Sequence, residues 1–388
     1  MDWIEQALEK QERDGLLRGT TAWPATGGRL ALGAGRTLLN FSSNDYLDLA
    51  NDARVKSAAS EATLRSGCGA TGSRLMSGTL PVHEALEAAL ARLCGTESAL
   101  VFGGGFPMNV GILSALAGRD DVIFADRLNH ASLVDGARLS GATVKRFPHS
   151  DAAALRRMLA KTPVRGRRFV VCESVFSMDG DLAPLAAIGA AAREHGAMWL
   201  VDEAHAIGVF GGGGGCCLAL DALAPRPDLA LGTLGKSLGS FGGFAACSAT
   251  VRRFLVNRAR SFIYATALPP GVAAAALAAV GIVLAEPALG AGLLDRARAF
   301  HVLLSDAGLR LPPFSSQILP VHVGDNRRAL EFAKRLRDKD LLAVAIRPPT
   351  VPAGTARLRL SVTRAHSEED LAHAAAAIAD VARALEIA

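Results

Sequence analysis

The surroundings of Lys236 give the clearest indication of a chemical role in this sequence. It lies in the glycine-rich and otherwise uncharged segment 232–243, directly after a short apolar run that predicts a strand. Burying an ammonium group without a partner is costly, so lysine is rarely placed in such a segment for packing. A lysine there can serve as a Schiff-base nucleophile. The alternative is a lysine that cradles a phosphate, although the P-loop spacing fails because Ala230 occupies a position that must be glycine.

Asp202 and His205 stand at the end of another predicted strand. An aspartate and a histidine at this spacing can bind a metal, but other candidate ligands are missing nearby. The alternative is a pyridoxal phosphate (PLP) site. There an aspartate keeps the pyridine nitrogen protonated, and a lysine at a strand end binds the cofactor covalently. Together with Lys236, the pair favours the PLP site.

The candidate residues follow predicted strands of a sheet. Short apolar runs alternate with helical patterns over the middle of the chain. The predicted strands are residues 99–102, 122–125, 143–147, 169–173, 198–202, 229–233 and 243–247. Helical patterns lie between several of them, for example at 152–159 and 185–195. This alternation predicts βαβ units and a mostly parallel sheet covered by helices. In such sheets, ligands bind beyond the carboxyl ends of the strands.

The length of 388 residues predicts two or three domains. Residues 1–45 are predicted to form a helix and an extended arm, residues 46–285 a large α/β domain, and residues 286–388 a small α+β domain. The elements predicted in the small domain are helices at 293–307, 327–339 and from Glu368 onward, and strands at 318–322, 343–346 and 356–361. Ser367 is the expected N-cap of the last helix.

The composition excludes several classes of protein. Half of the residues are hydrophobic and a fifth are charged, which excludes global disorder. The longest uncharged apolar run, residues 271–285, is shorter than the roughly 20 residues of a membrane span, so we expect a buried helix there and no membrane. The N-terminus shows no signal peptide, so we expect a cytoplasmic protein. The net charge of +5 is scattered, which argues against nucleic-acid binding.

The six cysteines show no C-x-x-C spacing. Structural zinc and a disulfide framework are therefore not expected, and we predict buried, reduced thiols.

Seven motifs in a fixed order carry a resemblance to a known family. They are AsnPheSerSerAsnAspTyrLeu (40–47), GlySerArgLeuMetSerGlyThr (72–79), AsnHisAlaSer (129–132), GluSerValPheSerMetAspGlyAsp (173–181), AspGluAlaHis (202–205), ThrLeuGlyLys (233–236) and IleArgProProThrValProAlaGlyThrAlaArgLeuArgLeu (346–360). The chain resembles the α-oxoamine synthases, which are PLP enzymes of the aminotransferase-like fold type I. The resemblance implies a mostly parallel seven-stranded sheet, a small C-terminal α+β domain, and a homodimer with its active sites between subunits.

The resemblance also implies the residues that bind the cofactor ring. Lys236 is the implied covalent attachment point, and Asp202 the partner of the pyridinium nitrogen. His205 is expected to donate a hydrogen bond to the phenolic oxygen of the ring, with Ser177 beside it. His130 is expected to stack on the ring and face the substrate, although a single histidine is ordinarily a core residue.

The phosphate of the cofactor is implied to bind at a different set of positions. Gly105, Phe106 and Thr233 match this set, since amide groups at a helix N-terminus and a hydroxyl favour a dianion. Thr266 matches a residue that reaches the phosphate of the neighbouring subunit. Taken alone, Thr266 is an ordinary loop threonine.

Two kinds of substrate contact follow from the resemblance. Arg359 matches the arginine that holds the carboxylate of the amino acid, for which a bidentate guanidinium is suited. Arg357 has the same local context and is the rival. Asn44 matches a position lining the site, and Arg18 and Thr350 match positions that contact the acyl substrate. The alternative for either strand arginine, and for Arg18, is a solvated surface residue.

The chain departs from the family at two places. Residues 211–215 are all glycine and precede Cys216 and Cys217, where the family usually has a glycine pair broken by an arginine. We expect a more mobile loop and the loss of any arginine contact to the acyl thioester. Ser237 replaces the glycine that usually follows the cofactor lysine, and we expect it to be tolerated.

The implied reaction is a decarboxylative condensation of L-alanine with a pimeloyl thioester of coenzyme A or of a carrier protein. Two alternatives remain open: a relative that uses glycine with acetyl-CoA or succinyl-CoA, and a PLP-binding protein without condensing activity. Ser73 favours alanine, because some glycine-using relatives have threonine there and serine leaves room for a methyl group. Such a difference discriminates by about 1–3 kcal/mol. A Rossmann dehydrogenase is excluded, because no G-x-G-x-x-G motif opens a helix after a first strand.

Overall fold

The computed structural model describes residues 2–24, 27–33, 35–220 and 222–387. Its strands are β1 (Arg29–Gly33), β2 (Arg36–Asn40), β3 (Ser98–Phe102), β4 (Val122–Asp126), β5 (Thr143–Phe147), β6 (Arg168–Glu173), β7 (Met198–Asp202), β8 (Leu229–Thr233), β9 (Gly243–Cys247), β10 (Ile318–Gly324), β11 (Leu341–Leu342), β12 (Val344–Ile346) and β13 (Ala356–Ser361). Its helices are α1 (Asp2–Arg13), α2 (Ala53–Ser66), α3 (Pro81–Cys94), α4 (Gly105–Leu116), α5 (Ala131–Leu139), α6 (Ala152–Lys161), α7 (Leu185–Glu194), α8 (Ala249–Arg258), α9 (Arg260–Ile263), α10 (Pro270–Ala285), α11 (Leu289–Asp306), α12 (Asn326–Asp338) and α13 (Glu368–Ala384).

These elements divide into two units. The large unit comprises Leu49–Phe176 and Leu182–Ala291, and the small unit comprises Met1–Asp48, Ser177–Asp181 and Gly292–Ala388.

The large unit is built on a seven-stranded sheet in the order β3-β9-β8-β7-β6-β4-β5. Strand β9 runs antiparallel to both of its neighbours, and the other neighbouring pairs are parallel. This confirms the mostly parallel seven-stranded sheet, and each predicted strand begins and ends within one residue of its observed bounds. Strands β6 and β7 end in register at Glu173 and Asp202, and β8 ends at Thr233. Side chains that follow these three strands are therefore collected at one edge of the sheet.

Apolar side chains cover the sheet. Ile112 and Leu113 of α4 pack in one cluster with Phe169 and Leu200 of the sheet, and all four are buried. The predicted apolar helix is α10, which starts at Pro270 because proline is suited to the first turn of a helix. Most of its side chains are buried, and it packs on α2 and α3. In the part of the chain described here, no single helix is long and apolar enough to cross a membrane, and α10 and α11 pass that test only when taken together.

The small unit contains two three-stranded sheets, β10-β13-β12 and β1-β2-β11. Strand β13 lies between antiparallel partners and is buried at every residue. The last helix begins as predicted: the side chain of Ser367 accepts a hydrogen bond from the amide of Asp370, whose carboxylate accepts one from the amide of Ser367. This reciprocal cap satisfies two amide groups at the start of α13.

Five of the six cysteines are buried, and all six are free thiols. Burial raises the pKa of the Cys94 and Cys247 thiols to about 12, so both stay protonated at neutral pH. Cys68 is exposed, and the prediction of a buried thiol was wrong for this residue because it follows the end of α2 in a surface turn.

A buried histidine makes the stability of the small unit sensitive to acid. His366 stacks on Phe41 with ring centroids 4.3 Å apart, and its Nδ1 accepts a hydrogen bond from the Thr363 amide. Burial lowers the pKa of His366 from 6.5 to about 4. The unfolded chain therefore binds a proton more tightly than the folded chain, and the stabilisation present above pH 6.5 is lost as the pH falls towards 4.

We expect the free energy of unfolding to fall by about 3 kcal/mol between pH 6.5 and 4 on account of this residue, since each pKa unit corresponds to about 1.4 kcal/mol. Denaturant titrations at several pH values measure this slope. His366→Gln should flatten it, whereas His373→Gln, which alters an exposed residue of α13, should leave it unchanged. An equal slope in His366→Gln would contradict the assignment.

The glycine run at 211–215, for which the sequence predicts a mobile loop, forms a turn that packs on its neighbours. Gly213, Gly214 and Gly215 are buried. A carboxylate orders the segment that follows, because Glu203 accepts hydrogen bonds from the amides of Cys216 and Cys217 at 3.0 and 2.7 Å. Glycine is favoured here for two reasons: four of the five residues, all but Gly214, adopt positive φ values, and a Cβ at Gly214 would meet backbone.

Gly214→Ala is expected to lower the free energy of unfolding by about 1–3 kcal/mol, the usual cost of overpacking. A Cβ atom at this position would lie 2.3 Å from the carbonyl oxygen of Leu93, and backbone cannot move aside as a flexible side chain can. Chemical denaturation measures the change. The matched control is Gly281→Ala in α10, where a Cβ meets nothing within 4 Å and removal of a helix glycine should stabilise the protein slightly. Equal stabilities of the two variants would refute this explanation.

Candidate active site

Lys236 and His205 meet at the sheet edge where β7 and β8 end. The Nζ atom of Lys236 lies 2.7 Å from Nε2 of His205. His205 is buried in the turn after β7, and Lys236 is half-buried in the loop after β8. That loop is closed by hydrogen bonds from the Gly239 amide to the Lys236 carbonyl and from the Ser240 amide to the Leu234 carbonyl. The structure therefore presents an amine at a fixed position beside an imidazole.

Asp202 is a buried carboxylate held by two hydrogen bonds. Its Oδ1 accepts from the Ala204 amide at 2.9 Å, and its Oδ2 accepts from Nδ2 of Asn109 at 2.8 Å. Asp202 is 6% exposed, so the carboxylate is oriented by protein groups and only slightly by water. Such a group can hold a proton on a cationic nitrogen placed against it.

His130 caps the N-terminus of α5 and contacts a second aromatic ring. Its Nδ1 lies 2.8 Å from Oγ of Ser132, and its ring meets that of Phe106 edge-on with centroids 6.2 Å apart. Burial lowers the pKa of His130, and the positive charge of Lys236 acts in the same direction, although Asp202 opposes both. The imidazole is therefore neutral at neutral pH.

Glu173 supports His130 from the end of β6. Its carboxyl group accepts the backbone N–H of His130 at 2.5 Å. Burial, and then the negative charge of Asp202, raise the pKa of Glu173 to about 8, so that the side chain is protonated at neutral pH. The motif that Glu173 opens does not indicate this role, because the contact with His130 joins residues 43 positions apart in the chain.

The N-terminus of α4 is the kind of site that binds anions. Gly105 and Phe106 form its first residues, and Thr233 lies beside it. Helix α4 begins at Gly105, and a Cβ atom on that glycine would lie 3.6 Å from Oγ1 of Thr233. A Cβ on Gly243 would lie 2.7 Å from the carbonyl oxygen of Gly104, so glycines line this approach. The amide groups of the first turn suit a phosphate. The Thr233 hydroxyl donates to the Gly242 carbonyl at 3.0 Å, and a bound phosphate would have to replace that acceptor. Thr266 is exposed and pairs in a short antiparallel bridge with Ser73.

Within the small unit, Arg359 donates hydrogen bonds to Asn44 and Ser177. Its Nη1 donates to Oδ1 of Asn44 at 3.1 Å, its Nη2 donates to the Tyr46 hydroxyl at 3.1 Å, and its Nε donates to the Ser177 carbonyl at 2.5 Å. These partners are all uncharged groups, and Arg359 is 7% exposed. Tyr46, also buried, was not assigned from the sequence and orders this guanidinium.

Arg357 has a different partner although it lies on the same strand. Its guanidinium forms an ion pair with Asp179, and its Nε donates to the Thr355 carbonyl at 3.0 Å. The charge of Arg357 is therefore compensated within the protein.

Arg18 and Thr350 line one cavity of about 700 Å³ in the small unit. Arg18 donates a hydrogen bond to the Pro348 carbonyl at 2.9 Å. Arg347 also lines the cavity, and burial together with the positive charge of Arg18 lowers the pKa of Arg347. The cavity lining contains four cationic and no acidic side chains among the described residues: Arg18, Lys334, Arg337 and Arg347.

The residues of the large unit fit PLP. A lysine amine beside a buried imidazole, an oriented carboxylate, a neutral histidine and a glycine-lined helix N-terminus are the groups that the cofactor requires. In the described residues, no cluster of three or more metal-binding side chains competes with this interpretation. Fold and site together define a fold-type I PLP-dependent transferase.

Comparisons with known proteins agree with this class. The family model for aminotransferase class I and II matches residues 36–378. The 8-amino-7-oxononanoate synthase of Trichlorobacter lovleyi is 45% identical over 386 residues, covering 99% of this chain and 98% of that protein. The enzyme of the same name from Geobacter sulfurreducens is 46% identical over 386 residues, with 99% of each chain covered. A high-resolution structure of SPT with PLP internal aldimine has a TM-score of 0.93 at 32% identity, covering 100% of this chain and 98% of that one.

The chain therefore belongs to the aminotransferase class I and II family, and within that family to the α-oxoamine synthases. It is a PLP-dependent acyltransferase, and the predicted cofactor and fold are confirmed.

Proposed function

We propose that this chain is an 8-amino-7-oxononanoate synthase, which condenses L-alanine with a pimeloyl thioester and releases carbon dioxide and a thiol. The observation that carries the proposal is full-length identity of 45–46% to two proteins of that name. The product is an intermediate of biotin biosynthesis. The proposed location is the cytoplasm.

Bound PLP supplies an electron sink for a carbanion at the α-carbon of the amino acid. Lys236 would attach the cofactor, and its amine, when free, would accept the α-proton of the amino acid. Asp202 would hold the proton on the pyridine nitrogen, and His205, which already contacts the Lys236 amine, would donate to the phenolic oxygen. His130, neutral and edge-on to Phe106, would stack on the cofactor ring and offer a donor to the substrate.

Arg359 is the proposed partner of the alanine carboxylate. Its hydrogen-bond partners given above are neutral, so a buried guanidinium keeps a full positive charge that an incoming carboxylate can compensate. Arg357 is less suited, because Asp179 already compensates it. Arg359 donates four of its five N–H groups to neutral neighbours, which hold the guanidinium in one orientation and, among the described residues, leave one N–H on Nη2 for the carboxylate.

The acyl substrate is proposed to occupy the cavity lined by Arg18 and Thr350. Its walls combine apolar side chains such as Leu17 and Ile346 with cationic ones, which fits an apolar chain that carries negative charge. A pimeloyl thioester of coenzyme A or of a carrier protein has this character. The loss of an arginine contact to the thioester at residues 211–215 stays a prediction. Without that contact, the cationic side chains of the cavity in the small unit would bind the thioester.

The protein is proposed to act as a homodimer, in which Thr266 reaches the phosphate bound by the partner subunit. The exposure of Thr266 on a bridge with Ser73 leaves its hydroxyl accessible for that role. Sedimentation at micromolar concentration tests the assembly.

Thiol release from pimeloyl-CoA, followed in the presence of L-alanine or glycine, tests the proposed reaction. We expect turnover with alanine and slower turnover with glycine. A preference for glycine would indicate one of the glycine-using relatives. Failure to release thiol with either amino acid, from a protein that binds PLP, would indicate a cofactor-binding protein without condensing activity.

A further inference from the structure

Asn109 is a buried amide that contacts two of the proposed site residues from one side chain. It lies in the second turn of α4 and is 3% exposed. Its Nδ2 donates to Oδ2 of Asp202 at 2.8 Å and to Oγ of Ser132 at 2.9 Å. Both amide hydrogens are therefore used. Among the described residues, its Oδ1 has no hydrogen-bond partner.

Only one orientation of this amide is compatible with its neighbours. If the group were rotated by half a turn, its carbonyl oxygen would face the Asp202 carboxylate, and two acceptors would be placed together without a proton between them. An unsatisfied carbonyl oxygen is a tolerable cost beside two hydrogen bonds, one of which involves a charged group. The two N–H groups of the Asn109 amide are therefore what its surroundings require.

The hydrogen bond to Ser132 continues to His130. Because Oγ of Ser132 accepts from Asn109, its hydroxyl hydrogen is directed to Nδ1 of His130 at 2.8 Å. The backbone amide of Ser132 also donates to that Nδ1, at 3.2 Å. Two donors on one ring nitrogen make Nδ1 an acceptor, which leaves the imidazole proton on Nε2.

We propose that Asn109 is a positioning residue that orients the Asp202 carboxylate and, through Ser132, holds His130 in the tautomer protonated on Nε2. The catalytic roles of Asp202 and His130 rest on the proposed function, whereas the tautomer can be measured without it. The consequence for the site is that one side chain sets both the acceptor offered to the pyridine nitrogen and the donor offered by His130.

The same structure predicts how the tautomer responds when the amide is removed. In Asn109→Leu, Oγ of Ser132 has lost its donor, and it regains one if His130 places a proton on Nδ1. The backbone amide of Ser132 still favours Nδ1 as an acceptor, so the change should be partial. We therefore expect the single tautomer of the natural protein to become a mixture. In a Ser132→Ala background, the same substitution should have no further effect on His130, because the link between the two residues is gone.

The experiment records ring-nitrogen shifts of protein labelled with ¹⁵N-imidazole histidine, in the PLP-bound and cofactor-free forms. The chain has nine histidines, and His130→Gln identifies the signals of interest. The control is Met108→Ala, which removes a buried side chain beside Asn109 in α4 and should lower stability without changing the tautomer. In the active enzyme, Asn109→Leu should lower kcat about 10- to 100-fold, as expected when a hydrogen bond to a charged group is lost, with little change in the KM for alanine.

The outcomes separate the inference from the proposed function. An Nε2-protonated His130 in the natural protein that becomes a mixture in Asn109→Leu supports the inference, even if thiol release fails and the proposed function with it. A His130 protonated on Nδ1 in the natural protein, or a spectrum unchanged in Asn109→Leu, overturns the inference even if the enzyme is active. A mixture that also arises in Met108→Ala overturns it too, because loss of packing would then be sufficient.

Discussion

Lys236→Ala is expected to abolish turnover, with a loss of at least about 10⁴-fold, and to remove the visible absorbance of covalently bound PLP. The magnitude is the upper end of the range for the loss of a general base, and the same side chain also attaches the cofactor. Its amine lies 2.7 Å from His205, and the proton transfer needs an amine at that place. Thiol release and an absorbance spectrum of the purified variant measure the two effects.

Lys161→Ala is the matched control, since it removes an exposed lysine at the end of α6. It should retain the activity and the spectrum of the natural protein. The far-ultraviolet circular dichroism of both variants should be unchanged, because Lys236 occupies a loop. A Lys236→Ala variant that releases thiol and retains the visible absorbance of bound PLP would contradict the assignment of the cofactor lysine.

The sequence predicts the strands of the large sheet well because most of them are short apolar runs. Asp202 and Thr233 close two apolar runs, and these runs are the strands β7 and β8 with the bounds predicted. The period of the pattern and the types of the closing residues are local properties, which a sequence displays directly. Residues whose roles depend on distant contacts were missed: Asn109 is far in the chain from Asp202, and nothing local to α4 indicates the hydrogen bond between them.

The glycine run shows the same limit in another form. Five successive glycines suggest freedom of the backbone when only the sequence is considered. The structure instead places the buried carboxylate of Glu203 and the carbonyl of Leu93 against the turn, so the absence of side chains permits close approach. Which of these two uses of glycine applies is decided by neighbours that are distant in sequence.

The two strand arginines are the sharpest case. Arg357 and Arg359 are two positions apart on β13, and side chains at that spacing lie on the same face of a strand. Neither periodicity nor residue type can separate them. Their partners do, because Asp179 neutralises one guanidinium while the other contacts neutral groups, including the Ser177 carbonyl.

Arg359→Lys is therefore expected to raise the KM for L-alanine about 10- to 100-fold. A lysine keeps the positive charge but cannot reproduce the hydrogen bond from the oriented guanidinium to the carboxylate, and a hydrogen bond to a charged group contributes about 1.5–3 kcal/mol. The KM for pimeloyl-CoA should change little. Steady-state thiol release with each substrate varied in turn measures both constants.

Arg357→Lys is the matched control for this prediction, because Arg357 lies two positions away on the same strand. It weakens the ion pair with Asp179, which is partly exposed, so the free energy of unfolding should fall by about 1 kcal/mol while the KM for alanine stays within about twofold. The reverse pattern, with alanine binding impaired in Arg357→Lys and intact in Arg359→Lys, would exchange the roles of the two residues. An ion pair already made within the protein would then have to open before each substrate binds, at a cost that the neutral surroundings of Arg359 avoid.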